Sequence, residues 1–282
     1  MKKVLMSIVA LAIVSMLAAC WPAEIGVETT FNADGSGTRV FVIDIMDDTL
    51  STTPITNPDD PEGTEGKGAV LNDKHVDGGV IAIQAWLEDN APDFMTVHDA
   101  TVDGYHRYFK LSFDFESFDD FLAKYELLVN LSPNLSWDDF DASELPTLTS
   151  STSGSVKTMT FTESKVMVEA SLDWAISGIY EDLYNEADLA GFVTKADIWV
   201  LANVKVTLGD GEFKEERHYD PDAEEGDDAG NTGKVIFVES QEFEATGEFE
   251  VPTTNIWLIV GIVAGVLVLG GLGAFFLIKK RG

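Results

Sequence analysis

In the stretch TVDGYHRYFKLSFDFESFDDFLAKYELLV, residues 101–129, apolar residues first recur every second residue and then at the spacing of a helix. Asp103-Gly104 is a favoured two-residue hairpin turn. Apolar residues then alternate along the chain, interrupted only by Arg107: Tyr105, Phe109, Leu111, Phe113 and Phe115. This alternation predicts a strand with one buried face. Ser117 and Asp120 resemble a capping box, so a helix is expected to begin there. Its apolar residues recur at helical spacing: Phe118, Phe121, Leu122, Tyr125 and Val129.

The same turn predicts a register for the neighbouring histidines. A loop of Asp103 and Gly104 pairs Thr101 with His106 and His98 with Phe109. His98 and His106 would then lie on opposite faces of the sheet and could not share a metal ion. The other two histidines, His75 and His218, fall in predicted loops.

Outward from this stretch, strands and helices alternate with polar loops. Strands are predicted as a hairpin over 24–46, as one or two strands over 155–171, and over 197–208, 234–240 and 242–250. Further helices are predicted over 78–90 and 172–191, and loops over 47–75, 144–155 and 209–232. We expect the loops near 47–75 and 209–232 to be mobile. The predicted fold class is α+β, with mostly antiparallel sheets and about three helices, plus a C-terminal transmembrane helix.

The single cysteine, Cys20, follows a positively charged head, a short apolar run and small residues. This pattern is typical of a secretory signal. The run from Val4 to Ala19 would reach about 24 Å as a helix, which is short for a permanent span. Leu17-Ala18-Ala19-Cys20 also resembles the lipobox of bacterial lipoproteins, which implies cleavage between Ala19 and Cys20 and a diacylglyceryl group on Cys20. With no second cysteine, no intramolecular disulfide can form.

The C-terminal end carries a second membrane signal. IWLIVGIVAGVLVLGGLGAFFLI, residues 256–278, contains no charge and would span about 34 Å as a helix. Two features flank this run at the predicted interfaces: Trp257 on the outer side, and the basic residues Lys279, Lys280 and Arg281 on the cytoplasmic side. The prediction is therefore a signal peptide over 1–19, an extracytoplasmic domain over 20–254, a transmembrane helix over 255–278 and a cytoplasmic tail over 279–282. Gly261 and Gly265 form one GxxxG pair, which leaves dimerisation through the span open.

The chain is strongly acidic, with 18 basic and 49 acidic residues. Five of the basic residues lie in the two terminal segments and none of the acidic residues does, so the extracytoplasmic domain carries a net charge of −36. This balance argues against nucleic acid as a partner, since its binding needs a basic surface. It also argues against docking on anionic headgroups. Solubility in a cation-rich envelope and recruitment of cations or of a basic partner both remain open.

Three features together resemble the LppM-like family of bacterial surface lipoproteins. The first is Cys20 followed by VETTFNADGSGTRVFVI, and the second is LSFDFESFDDFL. The third is VKVTLGDGEFKEE, then GNTGKVIFVES, then a single span with a basic tail. The acidic stretch at 219–231 departs from the family pattern. The resemblance implies a mixed α/β domain at the cell surface and a role in lipid or glycolipid binding, and it implies no catalytic residues.

No pattern in the sequence assigns a catalytic residue, a metal site or a cofactor. HExxH, Cys/His clusters, GxSxG and P-loops are absent from the sequence. The acidic stretch DPDAEEGDD, 220–228, lacks the glycine and glutamate positions of a calcium-binding EF-hand loop.

We therefore expect a non-enzymatic lipoprotein on a bacterial cell membrane, anchored at both ends, that binds an envelope lipid, a glycolipid or a membrane partner. A structural or scaffold role and an envelope enzyme with an unrecognised site are the alternatives. The short tethers at the two ends also predict that Glu24 and Glu250 lie on the same side of the domain.

Overall fold

The computed structural model describes residues 23–50, 76–104, 106–184, 199–220, 222 and 235–251. These residues form a mixed α+β fold with mostly antiparallel sheets, as the sequence predicts. The helices are α1 (Ala82–Asn90), α2 (Phe118–Asn130), α3 (Lys165–Ala170) and α4 (Asp173–Leu183). The strands are β1 (Ala23–Phe31), β2 (Gly37–Met46), β3 (Thr96–Val97), β4 (Thr101–Asp103), β5 (His106–Phe115), β6 (Thr147–Ser153), β7 (Val156–Ser164), β8 (Trp199–Leu208), β9 (Gly211–Glu216), β10 (His218–Tyr219), β11 (Val235–Ile236) and β12 (Glu242–Glu250).

The main sheet has seven strands in the order β3-β5-β2-β1-β8-β9, and β4 also pairs with β5. The predicted hairpin is confirmed: β1 and β2 pair antiparallel from Ala23↔Ile45 to Phe31↔Gly37. β1 also pairs with β8 in parallel. Side chains at odd positions of β1, β2 and β5 form the core face of this sheet, and even positions form its outer face.

Helix α2, which the sequence predicts, packs its apolar side on the core face of the main sheet. The Ser117 hydroxyl accepts a hydrogen bond from the Asp120 backbone N–H, and the Asp120 carboxylate accepts one from the Glu116 N–H. These bonds satisfy backbone donors that the first helical turn leaves free. The Phe121 ring then lies 5.1 Å from Phe115 and 6.0 Å from Phe161, centroid to centroid.

A second, three-stranded sheet in the order β12-β7-β6 covers one end of the core face. Phe161 of β7 lies 4.8 Å from Phe31 of β1, and Phe243 of β12 lies 5.5 Å from Phe213 of β9. Helices α1 and α4 pack on each other through Trp86 and Trp174. A methyl group at Gly178 would lie 2.3 Å from Cζ2 of Trp86, so this close approach requires glycine.

Three sequence predictions about secondary structure are wrong. Residues 144–155 were expected to form a loop, but 147–153 form β6 because Thr and Ser residues there pair with β7. The segment expected as one or two strands over 155–171 contains β7 and then helix α3, whose start is capped by the Ser164 hydroxyl. Part of the loop expected over 209–232 forms β9, which pairs with β8 from Asn203↔Glu216 to Leu208↔Gly211.

The predicted histidine register is also wrong. β4 pairs Asp103 with His106, whereas β3 pairs Val97 with Leu111, so the register shifts by one residue between the two short strands. A shift of one residue turns side chains to the other face. His98 therefore lies on the same outer face as His106, where its Nε2 is 2.8 Å from the Ser112 hydroxyl.

The two ends of the described domain lie at opposite ends of the main sheet, so the expectation for Glu24 and Glu250 is wrong. β1 starts at Ala23 and ends at Phe31, which pairs with Leu208. The end of β12 lies against the turn that follows Leu208, because the Asp210 carboxylate in that turn accepts a hydrogen bond from the Glu248 N–H. Glu250 is thus beside the end of β1, about 23 Å along the strand from Glu24. We call the opposite end, where β1 begins, the strand-start end.

Several predictions concern residues outside the described part of the chain. These are the signal peptide with Ala19 and Cys20, most of the loop over 47–75, the transmembrane helix with Trp257, and the tail with Lys279, Lys280 and Arg281. Among the residues that the structure does describe, no helix has the length and apolar character needed to cross a membrane.

Candidate functional site

Five polar side chains gather on the outer face of the main sheet at its strand-start end. They are Glu24 of β1, Asp44 of β2, His106 and Tyr108 of β5, and Arg217, which follows β9. We call them the outer-face cluster. The sheet brings them together because Glu24 pairs with Asp44, Asp44 pairs with Tyr108, and these three residues and His106 occupy even positions of their strands. Arg217 joins them from the end of β9 through its hydrogen bond to Glu24.

His106 and Asp44 form one ion pair of the cluster. Nδ1 of His106 lies 2.8 Å from Oδ1 of Asp44, and both side chains are partly exposed, at 32% and 20%. The hydrogen bond to the carboxylate raises the pKa of His106 above its ordinary value of 6.5, against the opposing effect of partial burial. The positive imidazolium form is therefore favoured at this position.

Glu24 and Arg217 form the second ion pair. Nη1 of Arg217 donates a hydrogen bond to Oε1 of Glu24. Burial raises the pKa of Glu24 above 4.5, and Arg217 opposes that rise. Burial likewise raises the pKa of Tyr108, which keeps its hydroxyl protonated as a hydrogen-bond donor.

The groups of the cluster suit a polar, uncharged ligand better than an ion. Two carboxylates, Asp44 and Glu24, lie beside two basic groups, His106 and Arg217, and the rings of His106 and Tyr108 stack with centroids 6.2 Å apart. Carboxylates accept hydrogen bonds, whereas guanidinium, imidazolium and phenol groups donate them. Sugar hydroxyls can satisfy both kinds of partner, and the apolar side of a sugar can lie against aromatic rings.

Arg107, which interrupts the alternation of β5, points to the other face at the same end of the sheet. Its Nε and Nη2 lie 2.9 and 2.8 Å from Oδ2 of the buried Asp47. Asp47 also accepts a hydrogen bond from the Thr49 N–H at 3.1 Å, where a short 3-10 helix begins. This pair fixes the chain at the end of β2 and takes no part in the outer-face cluster.

A further polar group, which we call the buried pair, lies inside the core. Arg39 and Glu163 are both 0% exposed, and Nη1 of Arg39 lies 2.9 Å from Oε2 of Glu163. Nη1 also donates to the Thr29 hydroxyl, and the Tyr125 hydroxyl donates to Oε1 of Glu163 at 2.7 Å. The guanidinium lies between 5.3 and 5.8 Å from the ring centroids of Phe41, Phe121 and Tyr125.

The buried pair joins the main sheet to the second sheet and to α2. Burial opposes the charge on Arg39, yet Glu163 beside it keeps the pKa of Arg39 above its ordinary value. Within the described residues, Nε and Nη2 of Arg39 have no hydrogen-bond partner. The aromatic rings around the guanidinium are then its remaining contacts, as in cation–π packing.

Sequence reasoning missed both groups. The signal for the outer-face cluster was present, since Glu24, Asp44 and His106 are polar residues at alternate positions of predicted strands. The signal for the buried pair was Arg39 on the apolar side of β2, a place where a charge needs a partner. Neither pattern shows which strand lies next to these residues. The pairing β5-β2-β1 brings the cluster together, and contact between β2 and β7 forms the buried pair.

Metal ligands do not converge in the described part of the chain. The structure places no three His, Cys, Asp or Glu side chains there close enough together to hold an ion. His98 and His106, although on one face, bind different partners, Ser112 and Asp44.

Comparison with solved structures finds a weak similarity. No protein-family model matches it, and no curated protein sequence matches it. The solution structure of the folded domain of LppM from Mycobacterium tuberculosis is a weak structural neighbour, with a TM-score of 0.26 and 8% sequence identity. That alignment covers 83% of this chain and 93% of the LppM domain.

Proposed function

We propose that this chain is an LppM-like bacterial surface lipoprotein whose outer-face cluster binds the neutral sugar headgroup of an envelope glycolipid. The observation that carries the proposal is the position of the cluster at the strand-start end of the sheet. Glu24 follows Cys20 by four residues, which reach about 14 Å when extended. A lipid on Cys20 would hold the cluster within headgroup distance of the membrane.

The negative net charge of the chain favours a neutral headgroup over an anionic one. The chain carries a net charge of −31, which repels anionic phospholipids and favours an uncharged ligand. Within the cluster, Asp44 and Glu24 can accept hydrogen bonds from sugar hydroxyls while Arg217 donates to them. A neutral glycolipid is therefore a better match than a phosphate or a nucleic acid.

The two proposed anchors also set the tilt of the domain. The tether between β12 and the apolar run of the proposed span, 251–255, reaches roughly 18 Å, which is less than the 23 Å or so between Glu24 and Glu250 along the sheet. With both anchors in place, β1 cannot stand upright on the membrane. The domain would incline, which brings the side of the sheet toward the lipid surface.

The test is lipid analysis of the full chain extracted from its native membrane in polymer-bounded nanodiscs. Mass spectrometry would compare lipids around the wild type with those around the double variant Asp44→Ala/His106→Ala. The matched control is Asp114→Ala, which removes a carboxylate from the same outer face of β5 at its other end.

We expect neutral glycolipid to be enriched several-fold around the wild type and the control, relative to the bulk membrane, and the enrichment to be lost in the double variant. Equal lipid composition around all three proteins would contradict the proposal. Loss of enrichment in the control as well would contradict the assignment to the strand-start end.

A further inference from the structure

Strand β6 presents an open edge of the second sheet. It pairs with β7 over seven residues, from Thr147↔Thr162 to Ser153↔Val156, and stands last in the order β12-β7-β6. Six of its seven residues are exposed, and Leu148 is half-buried. An edge strand leaves a row of backbone N–H and C=O groups free to pair with another strand.

The edge lacks the features that normally prevent such pairing. TLTSSTS, residues 147–153, contains no charge and no proline, and its side chains are mostly hydroxyls. Natural edge strands are usually short, charged, bulged or covered. β6 is seven residues long and pairs with β7 without a break in register, so it is neither short nor bulged.

The other edges of the main sheet and of the second sheet are protected. β3 and β4 have two and three residues. β9, with the sequence GEFKEE, carries four charges in six residues. β12, with the sequence EFEATGEFE, carries four glutamates and packs on β9 through Phe243.

We propose that β6 pairs antiparallel with β6 of a second copy of this chain, with Ser150 at the two-fold axis. This register places Thr149 beside the partner's Ser151, and every cross-strand pair is uncharged. An antiparallel pair of identical strands is self-complementary, as a two-fold interface requires. The two sheets join into one of six strands, β12-β7-β6 and its copy.

Charge explains why a second copy fits this edge. Two chains of net charge −31 repel each other wherever their acidic surfaces meet. In the joined sheet, the glutamates of β12 lie five strand spacings from those of the partner's β12, about 24 Å. That distance is well beyond the Debye length of about 8 Å at physiological ionic strength, so the repulsion between them is screened.

The interface is small, so the association is weak and depends on concentration. A seven-residue strand is about 24 Å long, and a single strand pair buries less than the roughly 1,200–2,000 Å² of a standard interface. Confinement of both copies to one membrane would raise their effective concentration.

The first test is disulfide trapping of the full chain with Ser150→Cys. Antiparallel partners at the axis have Cα atoms about 4.5–5.5 Å apart, which lies within disulfide range. The matched control is Ser143→Cys, an exposed residue outside β6, and Cys20 is kept in both chains. We expect several-fold more linked dimer for Ser150→Cys than for Ser143→Cys under mild oxidation. Equal linkage would overturn the proposal.

The second test measures the mass of the full chain in detergent by light scattering over a range of concentrations. We expect a dimer that grows with concentration, and its loss in Ser150→Glu, which puts two carboxylates at the axis. Ser143→Glu adds the same charge and should dimerise like the wild type. A dimer that survives Ser150→Glu would be held elsewhere, for example through Gly261 and Gly265, and would overturn the proposal. A wild type that stays monomeric, as it would if another segment of the chain covered β6, would overturn it as well.

Discussion

The buried pair and the outer-face cluster both contain a charged residue of β2, yet these residues face opposite sides of one sheet. Arg39 and Asp44 both belong to β2, and Thr29 and Glu24 both belong to β1. Odd positions face the core and even positions face outward. The alternation of side chains along a strand thus determines the role of a charged residue. On the core face it pairs with the second sheet, and on the outer face it is accessible to a ligand.

The energetic consequences of the two positions differ. A fully buried ion pair is costly to desolvate, but the loss of one partner leaves an uncompensated charge in the core. A partly exposed pair is solvated in either case and contributes about 0–1 kcal/mol. We therefore expect substitutions in the buried pair to change stability, and those in the cluster to change binding.

The largest expected effect is that of Glu163→Ala. Removal of the carboxylate leaves the buried Arg39 without a counter-ion, which should lower the free energy of unfolding by about 3–5 kcal/mol. Urea denaturation of the full chain in detergent measures this. Arg39→Met combined with Glu163→Leu removes both charges and should recover most of the loss. If the double variant were no more stable than Glu163→Ala, the charge would not be the cause.

The next effect is that of Tyr125→Phe, which removes the hydroxyl that donates to Glu163. A buried carboxylate oxygen that loses its partner costs about 1–3 kcal/mol. The same denaturation experiment measures it. Tyr180→Phe, a half-buried tyrosine of α4, is the control and should change stability less. An equal effect of the two substitutions would show that the bond to Glu163 does not contribute to stability.

Arg217→Ala should have a small effect on stability and a large one on binding. Its partner Glu24 is 18% exposed and Arg217 itself 37%, so we expect a loss below about 1 kcal/mol. The glycolipid enrichment of the full chain should fall to that of the bulk membrane. A loss of stability as large as that of Glu163→Ala would remove the distinction between the two groups.

The smallest expected effect is a pH dependence from His106. Its pKa is raised by the bond to Asp44, so the folded protein holds this proton more tightly than the unfolded chain. The resulting stabilisation is complete below about pH 6.5 and is lost as the pH rises through the folded-state pKa. The difference in unfolding free energy between the wild type and His106→Gln should decline over that range, by less than about 1 kcal/mol. A difference that grows with pH would contradict the assignment.

The sequence predicted the parts of the fold that depend on local pattern. β1, β2, β5 and α2 each have a clear apolar period, α2 also has a cap, and all four are present. β6 was missed because Thr and Ser form a strand only where a neighbour such as β7 pairs with them. β9 was missed because its alternation is dominated by charges.

The candidate site could not be predicted from local sequence pattern, because it depends on which strands are neighbours. The outer-face cluster depends on the strand order β5-β2-β1, and the buried pair depends on contact between β2 and β7, which are far apart in the chain. The one-residue shift between β3 and β4 reversed the predicted face of His98. Arg39 and Asp44 show that a charged residue in a strand acquires its role only when its face and its neighbours are known.

The most direct test of the central claim is an NMR titration of ¹³C-labelled histidines in the full chain, in nanodiscs with and without a neutral glycolipid. The signal of His106 is assigned by its loss in His106→Gln, and His98, on the same face but bound to Ser112, is the internal control. We expect His106 to titrate above pH 6.5 without glycolipid. We also expect its signal and its titration to shift when glycolipid is present, while the His98 signal stays unchanged. A His106 titration that is the same in both kinds of nanodisc would contradict the assignment of the outer-face cluster as the binding site.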